Sequence, residues 1–164
     1  MEPAEQLPDD GRQVMERLRA FAADYTELTR HLARWLGVHS ADAAAFAEIL
    51  YAEDMGRPLT PAQLSRRIGL SSGATSSLLN RLERANLLTR SREHTDRRVV
   101  TLRSVPSVAE QASGFFDPLT RRVKTVLDDI PADTVRDLDS FLTRLHDTMT
   151  ELIEHIDDEV PPRP

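Results

Sequence analysis

Apolar residues recur along the first third of the chain at alternating steps of four and three: Val14, Leu18, Phe21, Tyr25, Leu28, Leu32 and Trp35. That spacing puts them on one stripe of an α-helix. It predicts a helix from about Gly11, stopped by Gly37, which tolerates the left-handed backbone of a helix end. A second helix is expected from Ser40, as its cap, to about Asp54, with Phe46, Ile49 and Leu50 inward and Gly56 and Pro58 as breakers. Thr60-Pro61-Ala62-Gln63 then reads as a capping box with proline in the first helical position. It opens a short helix through Arg67, closed by Gly69. Ser71 or Ser72 caps a fourth helix ending near Ala85, where Asn86 supplies the stop.

From Leu87 the period changes from helical to strand-like. Residues 87–92 and 98–102 flank a polar tip at 93–97, which predicts a hairpin. After Pro106 the pattern is helical again to about Asp129, with a bend expected at Pro118 because its ring clashes with a carbonyl one turn back. Pro131 begins a last long helix whose seam is Val135, Leu138, Leu142, Leu145, Met149, Leu152 and Ile156. A short helix, a glycine turn, a second helix and a two-stranded wing make a winged helix-turn-helix. The expected fold is therefore mostly α (α+β). A winged helix-turn-helix DNA-binding lobe over 40–104 carries long N- and C-terminal dimerisation helices, at 11–37 and 105–157, behind a flexible tail at 1–10.

Charge sharpens this picture. The chain carries a formal charge of -6, yet residues 58–103 hold nine arginines and three acidic residues. A basic segment inside an acidic protein is what phosphate binding needs, since the local footprint matters more than the total. Small hydroxyl residues open the fourth helix: Ser71, Ser72, Thr75, Ser76 and Ser77. They let a backbone approach the major groove and can both donate to and accept from base edges. Arg81 and Arg84 follow, within reach of phosphate or a base. On the hairpin, Arg98 suits a minor groove and Arg97 a looser phosphate contact, and Asp96 stands two residues before Arg98, placed to orient it.

Other chemistries find little support. With no cysteine there is no thiolate zinc site and no disulfide framework. The glycines are scattered rather than grouped in a phosphate loop, and no nucleophile and base are paired by spacing, so an enzyme is not expected, nor a cofactor. The acidic stretch from Glu151 to Glu159 around His155 reads as a solvated helix end rather than a metal site. The acidic N-terminus lacks the apolar run of a secretion signal, and no segment is apolar enough to span a bilayer, so a cytoplasmic location is expected.

Leu64-Ser65-Arg66-Arg67-Ile68-Gly69-Leu70, the run from Ser76 to Leu88 and the wing Thr95-Asp96-Arg97-Arg98 with Val99-Val100-Thr101-Leu102 resemble the MarR family of multiple-antibiotic-resistance regulators. The resemblance extends from about Gly11 to Ile156, departing at Asn86, where the family often has glycine. It implies a homodimer on a pseudo-palindromic site in double-stranded DNA. Ser72, Thr75, Ser76, Ser77 and Arg81 would form the groove-reading face, Arg98 the wing contact and Asp96 its partner. It also implies a small aromatic or anionic effector, held near Arg34, Trp35, His39, Phe46 and Phe116. A winged-helix protein-interaction module, or a DNA-binding protein without an effector, are the alternatives.

Overall fold

The computed structural model describes residues 8–92 and 99–156. Six helices and one hairpin follow in the order α1 (Asp9–Leu36), α2 (Ser40–Asp54), α3 (Pro61–Ile68), α4 (Ser72–Arg84), β1 (Leu88–Ser91), β2 (Thr101–Ser104), α5 (Pro106–Asp128) and α6 (Ala132–Glu154). The chain divides into two compact units, Met1–Phe115 and Phe116–Pro164.

Local signals account for most boundaries in the first unit. Gly37 ends α1 and Gly69 ends α3 in the left-handed region, at φ 69° and 63°. Thr60 accepts from the Gln63 amide while the Gln63 side chain takes the Thr60 N–H, so the capping box satisfies two amides that the first turn would otherwise leave bare. Ser71 caps α4 by accepting from the Ala74 amide at 3.3 Å. Asn86, at φ 56°, is the non-glycine residue with positive φ among those described. It turns the chain from α4 into β1, and asparagine pays less than most residues for that conformation.

Three boundaries differ from expectation. The first helix begins at Asp9 rather than Gly11, because Pro8 and an acidic first turn suit a helix N-terminus. Ser40 is the first residue of α2 and not its cap; His39 holds the cap position, with no side-chain hydrogen bond. The second strand is Thr101–Ser104 and not 98–102. Its antiparallel register runs from Leu88↔Ser104 to Ser91↔Thr101, and the Val105 amide donates to the Leu87 carbonyl at 3.0 Å. The ladder is thereby carried past the apolar run, leaving Val99 and Val100 ahead of the strand and half-buried.

Nearly every non-surface position of α2 is buried, and it forms the axis of the first unit. Phe46 and Ile49 pack with Leu64 of α3, Leu78, Leu79 and Leu82 of α4, Leu88 and Leu102 of the hairpin and Ala112 of α5. Leu32 and Ala33 bury the end of α1. Full burial of one such leucine or phenylalanine contributes roughly 1.5–3 kcal/mol relative to an exposed one. The Leu102 amide donates to the Leu59 carbonyl at 2.8 Å, tying the hairpin to the segment that leads into α3.

In the second unit, α5 continues through Pro118 to Asp128 and a short turn leads into α6. No residue of α6 is buried. Leu138, Phe141, Leu142 and Met149 are each at least 40 % exposed, and Val126 and Leu127 of α5 are likewise open.

Candidate nucleic-acid interface

The helix α4 is divided by its period into an inner and an outer face. Thr75, Leu78, Leu79 and Leu82 recur at steps of three and four and are all buried. Ser72, Gly73, Ser76, Ser77, Asn80 and Arg84 lie on the opposite side and are exposed. Two short helices thus present a polar face on a packed apolar base, and the Ser65 hydroxyl donates to the Leu70 carbonyl to brace the turn between them. Ser71, Ser72, Ser76 and Ser77 are brought together at the exposed start of α4, although the Ser71 oxygen is already engaged as the cap.

Of the residues expected on the reading face, Thr75 is placed inside and Arg81 is exposed but held by a partner. Thr75 is 2 % exposed, and its hydroxyl is buried without a hydrogen-bond partner. It follows Ser71 by four and precedes Leu78 and Leu79 by three and four, so helical geometry carries it inward with the leucines. Arg81 does not stand free beside the serines. Its Nε and Nη2 donate to the two carboxylate oxygens of Asp42 at 2.9 and 2.6 Å, a bidentate pair. Asp42 is 2 % exposed in the first turn of α2, where the helix N-terminus also favours its charge. The hydrogen bond to Asp42 raises the pKa of the Arg81 guanidinium above its already high value.

Asp42 was not legible as a site residue, since its partner lies 39 positions away. Asn80 was also missed; it sits on the exposed stripe, one turn after Ser76, and its Oδ1 accepts from Arg90 Nη2 at 2.8 Å. Arg90 further pairs with Glu83 at 3.2 Å, so the root of the hairpin is pinned to the last turns of α4. At the other strand, Glu53 accepts from the Ser104 amide at 2.9 Å and lies 3.6 Å from Arg103. The expected wing residues Asp96, Arg97 and Arg98 lie outside the described residues.

Residues expected around an effector are distributed as follows. Phe46 is fully buried in the core, packed rather than lining open space. Trp35 is 47 % exposed and meets Phe115 with ring centroids 5.7 Å apart. Arg34 pairs with Glu27 at 3.7 Å, and the hydrogen bond from Arg30 is the main reason that the Glu27 pKa is lowered. His39 is exposed ahead of α2. Phe116 belongs to the second unit.

The model of the MarR family matches residues 36–99, the stretch that holds α2, α3, α4 and β1. Over that stretch the chain is similar to the MarR family. A helix-turn-helix-type transcriptional regulator of Bacillus subtilis (strain 168), YcgE, is 27 % identical over 99 residues, which cover 60 % of this chain and 64 % of that protein. The match therefore spans less than two thirds of its relative's length. Among solved structures, Staphylococcus aureus MepR in its DNA-binding conformation is similar with a TM-score of 0.64 at 13 % identity, covering 83 % of this chain and 98 % of the other. A MarR family protein of Bacillus stearothermophilus is similar with a TM-score of 0.59 at 21 % identity, covering 89 % and 99 %. At these identities the likeness establishes a shared fold, the MarR-type winged helix with its flanking helices. Among the described residues, no helix is long and apolar enough to cross a membrane.

Proposed function

We propose that this chain is a homodimeric transcription regulator that binds double-stranded DNA at a pseudo-palindromic operator and is released by a small aromatic or anionic effector. The observation that carries the DNA reading is the exposed polar stripe of α4, Ser72, Ser76, Ser77, Asn80 and Arg84, on a MarR-type lobe. Helix α4 enters the major groove, Ser76 and Ser77 face base edges, and the free amides at its start favour phosphate. In this reading Arg98, with Asp96 as its partner, takes the flanking minor groove and Arg97 is a looser phosphate contact.

A dimer is supported by the apolar seam of α6, which its own unit leaves uncovered at Leu138, Leu142 and Met149. Two recognition helices must then reach successive major grooves roughly 34 Å apart. The flanking helices form the dimerisation region and the lobe at 40–104 the reading part. Trp35, Arg34 and His39 remain the surface offered to an effector, without Phe46.

Fluorescence anisotropy with the DNA upstream of the chain's own gene, against a scrambled duplex of equal length, tests the reading. Preferential binding of one dimer per site is expected. Arg98→Ala should flatten the slope of log affinity against log salt by up to about 2 per dimer, at roughly 0.9 per phosphate contact. Equal, salt-independent affinity for both duplexes would instead favour a protein-interaction module.

A further inference from the structure

The chain commits one recognition-helix arginine to a buried acid, and this has a consequence for how it discriminates among DNA sequences. Arg81 lies one turn after Ser77, on the flank of α4 that turns towards α2. Both of its nitrogens on that side are bound by Asp42, whose side chain is 3 % exposed against 42 % for the arginine. A bidentate pair of this kind has no net charge, and its geometry is fixed by two parallel hydrogen bonds. A lone arginine at the same position would be a mobile cation, and mobile cations supply the sequence-independent part of DNA affinity by releasing counterions.

We propose that Asp42 is a positioning residue that sets specificity: it cancels the charge of Arg81 and fixes the flank of α4 to α2, holding down affinity for arbitrary DNA while the reading face keeps one attitude. This rests on the DNA-binding reading above. Only Asp42 and Arg81 take part in the pair, while Arg67 is held separately by Glu48 at 3.2 Å. The axis helix of the core and the reading helix are thus joined by a polar contact as well as by packing.

The test measures affinity for the upstream duplex and for an unrelated duplex over a salt series, with the intact protein and two variants. Asp42→Asn leaves the arginine charge uncompensated. It is expected to steepen the salt slope on unrelated DNA by up to about 1.8 per dimer, at about 0.9 per new phosphate contact, and to lower the ratio of specific to unrelated binding several-fold. The double variant Asp42→Asn with Arg81→Gln keeps a neutral hydrogen-bonded pair and is expected to show the parent slope on both duplexes. Circular dichroism establishes that each variant is folded. A parent slope in folded Asp42→Asn overturns the proposal. So does a double variant whose slope is flatter by about 2, because Arg81 would then already contact phosphate in the parent; this result decides even if Asp42→Asn does not fold. If the parent itself binds neither duplex in a salt-dependent way, the DNA reading falls, and the role of Asp42 with it.

Discussion

Replacing Phe46 by alanine separates two roles that its chemistry would equally allow, lining an effector site or filling the core. The side chain is fully buried and touches the apolar residues of α2, α3, α4 and the hairpin. Truncating a buried phenylalanine removes its transfer free energy and leaves a cavity, at about 3–5 kcal/mol. For a chain of this size each kcal/mol lowers the melting temperature by about 2–4 °C, so a fall of about 6–20 °C is expected for Phe46→Ala. Urea and thermal unfolding should be compared at one fixed protomer concentration, because assembly stabilises the folded state by mass action. Trp35→Ala is the matched control: its side chain is half in solvent and meets the Phe115 ring, so its effect should be clearly smaller. A Phe46→Ala protein that melts within about 2 °C of the parent, less than 1 kcal/mol for this length, would refute the core assignment and return Phe46 to the effector site.

Leu142→Asp places a charge on the open seam of α6 and should convert a dimer to monomer in light scattering at micromolar concentration, with operator affinity falling alongside; an unchanged mass would dismiss that seam as the interface. Thr75→Val removes a buried hydroxyl that has no partner, so stability should rise or hold, since an unsatisfied buried group costs roughly 1–3 kcal/mol; a loss of operator affinity without a loss of stability would put Thr75 back on the reading face. Burial, then the negative charge of Glu48, raises the Tyr25 phenol above its ordinary value. A phenol with a raised folded pKa stabilises the fold below its unfolded pKa, and that contribution disappears as pH climbs through the folded one. Tyr25→Phe should therefore delete the late-ionising phenol from an ultraviolet titration and soften alkaline destabilisation, and a titration that keeps its late component would exclude Tyr25 as the source.

What could be read from sequence follows the range of the interaction that makes each feature. Gly37, Gly69, Asn86 and the Thr60–Gln63 box act within a few residues, and all four fall where their local chemistry puts them. Thr75 shows a weaker kind of reading. The stripe of Leu78, Leu79 and Leu82 already included its position, but residue type, a hydroxyl among serines, outweighed the period. The shift of β2 to Thr101–Ser104 depends on pairing with Leu88 across the hairpin, which an apolar run alone does not fix. The contact between Asp42 and Arg81 arises only when α2 and α4 pack, so no local pattern could announce it.

The same packing changes what the basic segment means. Counted over 58–103 alone, nine arginines against three acids suggest a strongly cationic surface. Yet α2, outside that window, brings Asp42 to Arg81, Glu48 to Arg67 and Glu53 to Arg103, and Glu83 meets Arg90 within it. Widened to 40–103 the segment holds ten arginines against seven acids. Much of the arginine content therefore braces the lobe internally rather than serving as a phosphate footprint. On the DNA-binding reading proposed above, such a lobe would draw less of its affinity from counterion release and more from the fit of the α4 stripe to base edges. The salt slope of operator binding should accordingly be shallower than nine arginines per protomer would give, with its remainder carried by cations outside those pairs, such as Arg84 on the exposed face of α4.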